Sequence, residues 1–258
     1  MTDINSYLTA LAKRLVIDPN KKERIEVSIL FLVKEVWGLF QNKLSDIFVF
    51  GSYDRDTIIL TDDEADVDIL IIFKKNEFQP DTYLKHIREF CEKKYPNSII
   101  YPDHPTITLE MEHIKFEIVP ATNYLEGTVK IPAPRGKELK WISTSPQIFK
   151  SKLQSKDKSN KGLIMPVIRI FKYWNSIHGH PFSSYKLEKC IIEKLYDCSS
   201  LRDYYFSASS AIESILSTEQ QTKSFADLKE RNRRLRVLER EKLTEYIEPE
   251  LTAFLPMI

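Results

Sequence analysis

Residues 48–73 read FVFGSYDRDTIILTDDEADVDILIIF, and this stretch decides the fold. An apolar run ends in Gly51-Ser52, and a second run, rich in isoleucine, opens with Asp66-Val67-Asp68. The second run, Val67–Phe73, has the composition of a strand buried on both faces. In a strand, residues two apart point to one face, so Asp66 and Asp68 project side by side. Two carboxylates held that close repel each other and raise each other's proton affinity unless a cation intervenes. Hard, oxygen-seeking Mg²⁺ (or Mn²⁺) is the natural neutraliser, and a triphosphate supplies the remaining ligands. A pair of this kind is the core of a two-metal phosphoryl-transfer site.

Outward from this stretch, the Gly51-Ser52 turn has its own logic. Glycine lets a phosphate approach the backbone, and a strand-to-helix turn aims free N–H groups at an anion. The Ser52 hydroxyl adds a donor. A third carboxylate would complete the metal site, and Glu117 within IKFEIVPA is the candidate. It sits mid-strand between Phe116 and Ile118, where an inward charge needs a neutralising partner. Each feature has a plain alternative: a common turn, a solvated strand end, an edge-strand glutamate. Their joint presence in this order is what points to chemistry.

Around this centre, residues 22–43 carry apolar residues at three- and four-residue spacing and read as a long amphipathic helix. Ile47–Phe50 reads as a short strand, 78–95 as a helix, and 98–119 as alternating strands. The segment 122–144 holds Pro132, Pro134 and Gly136, and reads as an irregular connection between lobes. Beyond 145 the pattern is helical, with a lysine-rich hinge over 150–161 and helices near 162–178, 183–197, 201–217 and 225–247. The expected fold class is α+β and bilobed. A mixed-sheet catalytic lobe with flanking helices (1–144) packs on a helical lobe (145–258), with the active-site cleft between them.

Composition narrows the function classes. The chain has 258 residues, 42% apolar and 29% charged, an ordinary globular profile. A net charge of +1 gives no support to a general nucleic-acid binder. The arginines of KERNRRLRVLEREK, 229–242, alternate with glutamates as on a salt-bridged helix face. A nucleic-acid activator is therefore not favoured. Three cysteines without a CxxC pair, and five histidines without ligand spacing to them, argue against structural zinc and for a reducing compartment. No apolar run approaches a membrane span, and the first 25 residues read as helix, so a soluble, cytoplasmic protein is expected. Oligomeric state is not legible. His178 and His180 flank Gly179 at a helix end, where capping accounts for them.

The order of Gly-Ser, Asp-x-Asp at a strand start and an acid on a later strand resembles the DNA polymerase β nucleotidyltransferase superfamily. VIRIFKYWNSIHGHPFSSYKLEKC, residues 167–190, is similar to the helical lobe of the cyclic GMP-AMP synthase and bacterial CD-NTase branch. The resemblance covers about residues 46–195. It implies that Gly51 and Ser52 grip the triphosphate and that Asp66, Asp68 and Glu117 bind two Mg²⁺ or Mn²⁺ ions. It implies that Lys172 and Ser184 contact phosphates and that Tyr185 stacks on a base. The substrates would be NTPs, ATP or GTP, and the product a cyclic di- or oligonucleotide messenger in antiphage defence. Two departures stand out. Asp56 occupies a position where the family commonly has glycine, and Glu117 stands where it usually has aspartate. Two other functions share these residues: extension of an RNA 3′ end, and nucleotide binding by a member that has lost turnover.

Overall fold

The computed structural model describes residues 3–59, 61, 65–74, 78–103, 105–125, 127–133 and 140–258. It divides into two compact units. One comprises residues 18–58 and 64–151; the other comprises 1–17, 59–63 and 152–258. This differs from a single division at 144/145, for a local reason. Helix α1 (Ile4–Arg14) presents Ile4, Leu8 and Leu11 as a buried face, and it packs on C-terminal helices. The Tyr7 hydroxyl also donates to the Leu255 carbonyl at 2.8 Å.

The first unit is built on a mixed sheet. Helix α2 (Pro19–Phe40) leads into strand β1 (Leu44–Phe50), the short helix α3 (Gly51–Asp54) and strand β2 (Asp66–Phe73). Helix α4 (Pro80–Lys94) follows, then β3 (Ile99–Asp103), β4 (Thr106–Met111), β5 (Ile114–Leu125), β6 (Thr128–Pro132) and β7 (Trp141–Thr144). The main sheet order is β1-β2-β5-β4-β3, and β6 joins β5 to β7. Strands β2 and β5 run parallel, while the other pairs are antiparallel. A parallel pair needs a crossover, here the chain that carries α4, β3 and β4.

Alternation divides β2 and β5 between two faces. Val67, Ile69 and Ile71 share a face with Phe116 and Ile118, all buried. The same face carries Phe73, which meets Phe40 of α2 edge-on at 5.5 Å and Tyr83 of α4 at 4.5 Å. The opposite face carries Leu70, Ile72, Val119, Ala121 and Val129 as one apolar cluster. With both faces covered, β2 needs the near-continuous apolar run that the sequence shows.

Residues 122–125 and 128–132 are not an irregular connection: the first complete β5 and the second form β6, with Lys130 opposite Thr122 and Val129 opposite Asn123. Gly127 takes φ 71° before β6. Pro132 is the last residue of β6, where a missing N–H is tolerated. Pro134 and Gly136 lie outside the described residues. The lysine-rich segment is not a hinge either, because α5 runs Pro146–Ser159. Lysine and glutamine are good helix formers, and Lys156 and Lys158 suit its last turn.

The second unit is helical: α6 (Ile164–Ile177), α7 (Ser184–Glu193), α8 (Leu201–Ala211), α9 (Glu219–Arg240) and α10 (Ile247–Phe254). The α5–α6 junction is tight, for Asp157 Oδ1 accepts from the Ile164 and Met165 N–H groups at 2.9 Å each. Helix α6 buries Val167, Ile168, Ile170, Phe171 and Trp174, and Phe171 stacks on Tyr205 of α8 at 5.1 Å. Helix α6 ends as its sequence suggests: His178 Nδ1 reaches the Trp174 carbonyl at 2.7 Å and Gly179 takes φ 76°. Ser200 and Asp203 form a reciprocal capping box on α8. Three of the α9 arginines are salt-bridged: Arg233 and Arg234 to Glu230, and Arg231 to Asp227 and Glu250. All three cysteines are free thiols, and no helix of the described residues is long and apolar enough to cross a membrane.

Candidate active site

The site lies at the end of the sheet where β2 begins. Asp68 pairs in register with Glu117 on β5 and with Phe50 on β1. Directly paired residues point to the same side of a sheet, and so do residues two apart. Asp66, Asp68 and Glu117 therefore share one face. It is the face that continues inward as Leu70, Ile72 and Val119. The acids thus sit on the rim of an apolar cluster, in lower polarity than open water provides.

Glu117 records that setting. Burial is the largest cause that pushes its carboxyl up to about 7, and the negative charge of Asp66 is the next. Lys115 pulls the other way, while Asp103 and a side-chain hydrogen bond with Asp66 push further upward. A proton shared between Asp66 and Glu117 is what two crowded carboxylates adopt without a cation. Among the described residues, as their side chains stand, no group of three His, Cys, Asp or Glu is placed to hold a metal ion. The donor chemistry still fits a hard divalent ion: three carboxylates on one face, one of them reluctant to ionise.

The Gly51 turn explains itself once Asp68 is in place. Gly51 begins α3 with φ 71°, and a Cβ built on it would lie 1.7 Å from Asp68 Oδ2. Only glycine gives both the backbone angle and the room for that carboxylate. Ser52 follows within α3, and its carbonyl accepts from the N–H groups of Thr57 at 2.9 Å and Ile58 at 3.1 Å. Asp56 takes φ 60° to make this return, so the residue standing in place of glycine adopts the left-handed backbone that aspartate tolerates. The turn is braced from α5: Lys150 Nζ donates to Asp54 Oδ1 at 2.7 Å, and the Arg55 guanidinium lies 5.0 Å from the Phe149 ring centre.

The sequence reading brought Gly51, Ser52, Asp66, Asp68 and Glu117 into one unit, and the structure places them on neighbouring strand ends and the turn between. Lys172, Ser184 and Tyr185 belong to the helical unit. Lys172 is only 6% exposed and pairs with the fully buried Glu188 of α7 at 3.5 Å. Ser184 is the first residue of α7, after Ser183 at the cap position, and Tyr185 is 52% exposed. Sequence reasoning missed Lys115 and Thr108. Lys115 pairs in register with Asp66, and Thr108 stands opposite Glu117 on β4. The signal was present for Lys115: it precedes Glu117 by two in an alternating strand.

The family profile described as Second Messenger Oligonucleotide or Dinucleotide Synthetase domain (SMODS) matches residues 1–157. The chain belongs to the SMODS family. It is a nucleotidyltransferase of the CD-NTase type. No curated protein matches the sequence of this SMODS chain. Among solved structures it is similar to the Bradyrhizobium diazoefficiens CD-NTase CdnG in complex with GTP: TM-score 0.76, 12% identity, covering 96% of this chain and 94% of that one. It is similar to Escherichia coli MS115-1 CdnC with ATP: TM-score 0.73, 12% identity, covering 96% and 97%. The Vibrio cholerae DncV cyclic AMP-GMP synthase matches at TM-score 0.59 and 12% identity, over 74% of this chain and 63% of that one. At such identities the likeness is one of fold.

Proposed function

We propose that this SMODS protein joins nucleoside triphosphates, ATP or GTP, into a cyclic di- or oligonucleotide messenger, in a divalent-metal reaction at Asp66, Asp68 and Glu117. The observation that carries the reading is the Asp66–Asp68–Glu117 face, with Gly51 cut away to admit the Asp68 carboxylate. Two Mg²⁺ or Mn²⁺ ions, when bound, would neutralise these carboxylates and polarise the α-phosphate. The chain's own residues do the rest. Gly51 and Ser52 offer backbone and hydroxyl donors to the triphosphate, beside the acids. Glu117, once ionised, accepts the proton of the acceptor ribose hydroxyl. That oxygen then bonds to the α-phosphorus as the bond to the pyrophosphate oxygen breaks, and pyrophosphate leaves. A second transfer within the linear product closes the ring.

The assignment of Lys172 and Ser184 to phosphates and of Tyr185 to a base rests on the sequence resemblance. The exposed Tyr185 ring suits stacking, worth about 1–3 kcal/mol per base. A role in antiphage defence and a cytoplasmic setting rest on the resemblance and composition alone. The test is product analysis: purified protein, all four NTPs, Mg²⁺ or Mn²⁺, no RNA, and mass spectrometry. Small cyclic phosphodiesters are expected, and they vanish in Asp66→Asn/Asp68→Asn. Extension of an added RNA 3′ end, or nucleotide binding without pyrophosphate release, would overturn the proposal.

A further inference from the structure

Helix α2 buries Ile25, Leu32, Val36 and Phe40 against its own unit. Its other side is exposed, yet large apolar side chains stand among its charges. Val27 is 55% exposed, Leu30 69%, Phe31 62% and Trp37 37%. Solvent-facing helix positions ordinarily go to charged residues, and apolar side chains clustered on one element mark an interaction surface.

The order along this side is informative. Glu23, Val27, Leu30, Lys34 and Trp37 follow each other at alternating four- and three-residue steps, the spacing of a helix-pairing seam. The seam is nearly its own complement when reversed. Aligned antiparallel with a second copy, Val27 falls opposite Leu30 and Leu30 opposite Val27. In the same register Glu23 falls opposite Lys34 and Lys34 opposite Glu23. Both charged residues are exposed, and among the described residues no ion pair engages either. Phe31 flanks the apolar centre of the seam. Gly38, one helix turn beyond Lys34, has nothing within 4 Å of the place a Cβ would occupy. A glycine there weakens the helix without easing any contact in its own chain, and it leaves the end of the seam open to close approach.

We propose that α2 pairs antiparallel with α2 of a second copy of this chain, giving a two-fold symmetric dimer. A two-fold interface presents the same patch from both partners, so each complementary contact occurs twice. Charge complementarity selects this occupant: a parallel copy would set Glu23 against Glu23 and Lys34 against Lys34. A seam one helix wide lies near the lower end of specific interfaces, about 1,200 Å² in total, so the dimer forms in a concentration-dependent way.

The test is sedimentation velocity over a concentration series of the whole chain. The wild type is expected to shift from monomer to dimer. Leu30→Glu is expected to hold it monomeric with an unchanged circular dichroism spectrum. Glu23→Lys and Lys34→Glu, each introducing two like-charge contacts per dimer, should each weaken association by roughly tenfold. The double exchange Glu23→Lys/Lys34→Glu should restore it. A monomer at every concentration overturns the proposal, and so does a dimer that Leu30→Glu leaves intact. A double exchange no better than the single ones also overturns it. Capture of a different protein on this face by a monomeric chain counts against it in the same way.

Discussion

At Gly51 two demands coincide, a left-handed φ and the absence of a side chain against Asp68. Gly51→Ala violates both. It should cost at least about 1–2 kcal/mol in a urea melt from the backbone term alone, and nucleotide incorporation should fall by more than tenfold, because the displaced group is an acid of the proposed site. Glu117 gives a pH signature. Its proton affinity is raised by burial first and by Asp66 second. A carboxylate with a raised folded-state pKa contributes stability that is fully present below the ordinary value of 4.5 and is lost as pH rises through about 7. Metal-free protein should therefore show a falling urea midpoint between pH 5 and pH 8. Glu117→Gln should flatten that slope, and Mg²⁺ should restore the midpoint at pH 8. The three acids were legible because strand periodicity alone fixes which side chains share a face. Asp56 stood out in the sequence only as a departure at a common glycine position, and the backbone there is left-handed, φ 60°. The burial of Lys172 was not. A lysine in an apolar helix gives no sign of its partner, and Glu188 lies sixteen residues on.

Elements show the same contrast. Strand β2 and helix α2 stood out because an isoleucine-rich run and a three-four spacing are strong local signals. Strands β6 and β7 did not, because five and four residues with two prolines nearby offer little alternation to read, and the pairing of β6 to β5 and of β7 to β6 is a tertiary decision. The lysine-rich α5 was missed for the opposite reason: its charges resemble a solvated loop, although lysine favours helix. Between α6 and α7, the Lys172–Glu188 pair makes a sharp prediction. Removing Glu188 takes from the buried Lys172 the carboxylate it faces at 3.5 Å, so Glu188→Leu should destabilise, by up to about 3–5 kcal/mol. The double change Lys172→Met/Glu188→Leu should recover most of that in chemical melts. If Lys172 also serves the triphosphate, the recovered double variant should show a raised KM for NTP despite its restored stability.

For the whole molecule, charge sets the expectation about activators. The net charge is +1, and Arg231, Arg233 and Arg234 of α9 are engaged by Glu230, Asp227 and Glu250. A face so neutralised attracts phosphodiesters weakly. Added double-stranded DNA or RNA should leave the rate of product formation unchanged in a pyrophosphate-release assay. A rate increase that falls steeply with salt would contradict this. The parallel pairing of β2 with β5 carries one more implication, for the birth of the protein on the ribosome. Asp66 and Asp68 leave the exit tunnel some fifty residues before Glu117, and their strand cannot meet β5 until α4, β3 and β4 have been made. A nascent chain thus carries two acids with no third, and the three-acid face is completed in one step, when the crossover closes.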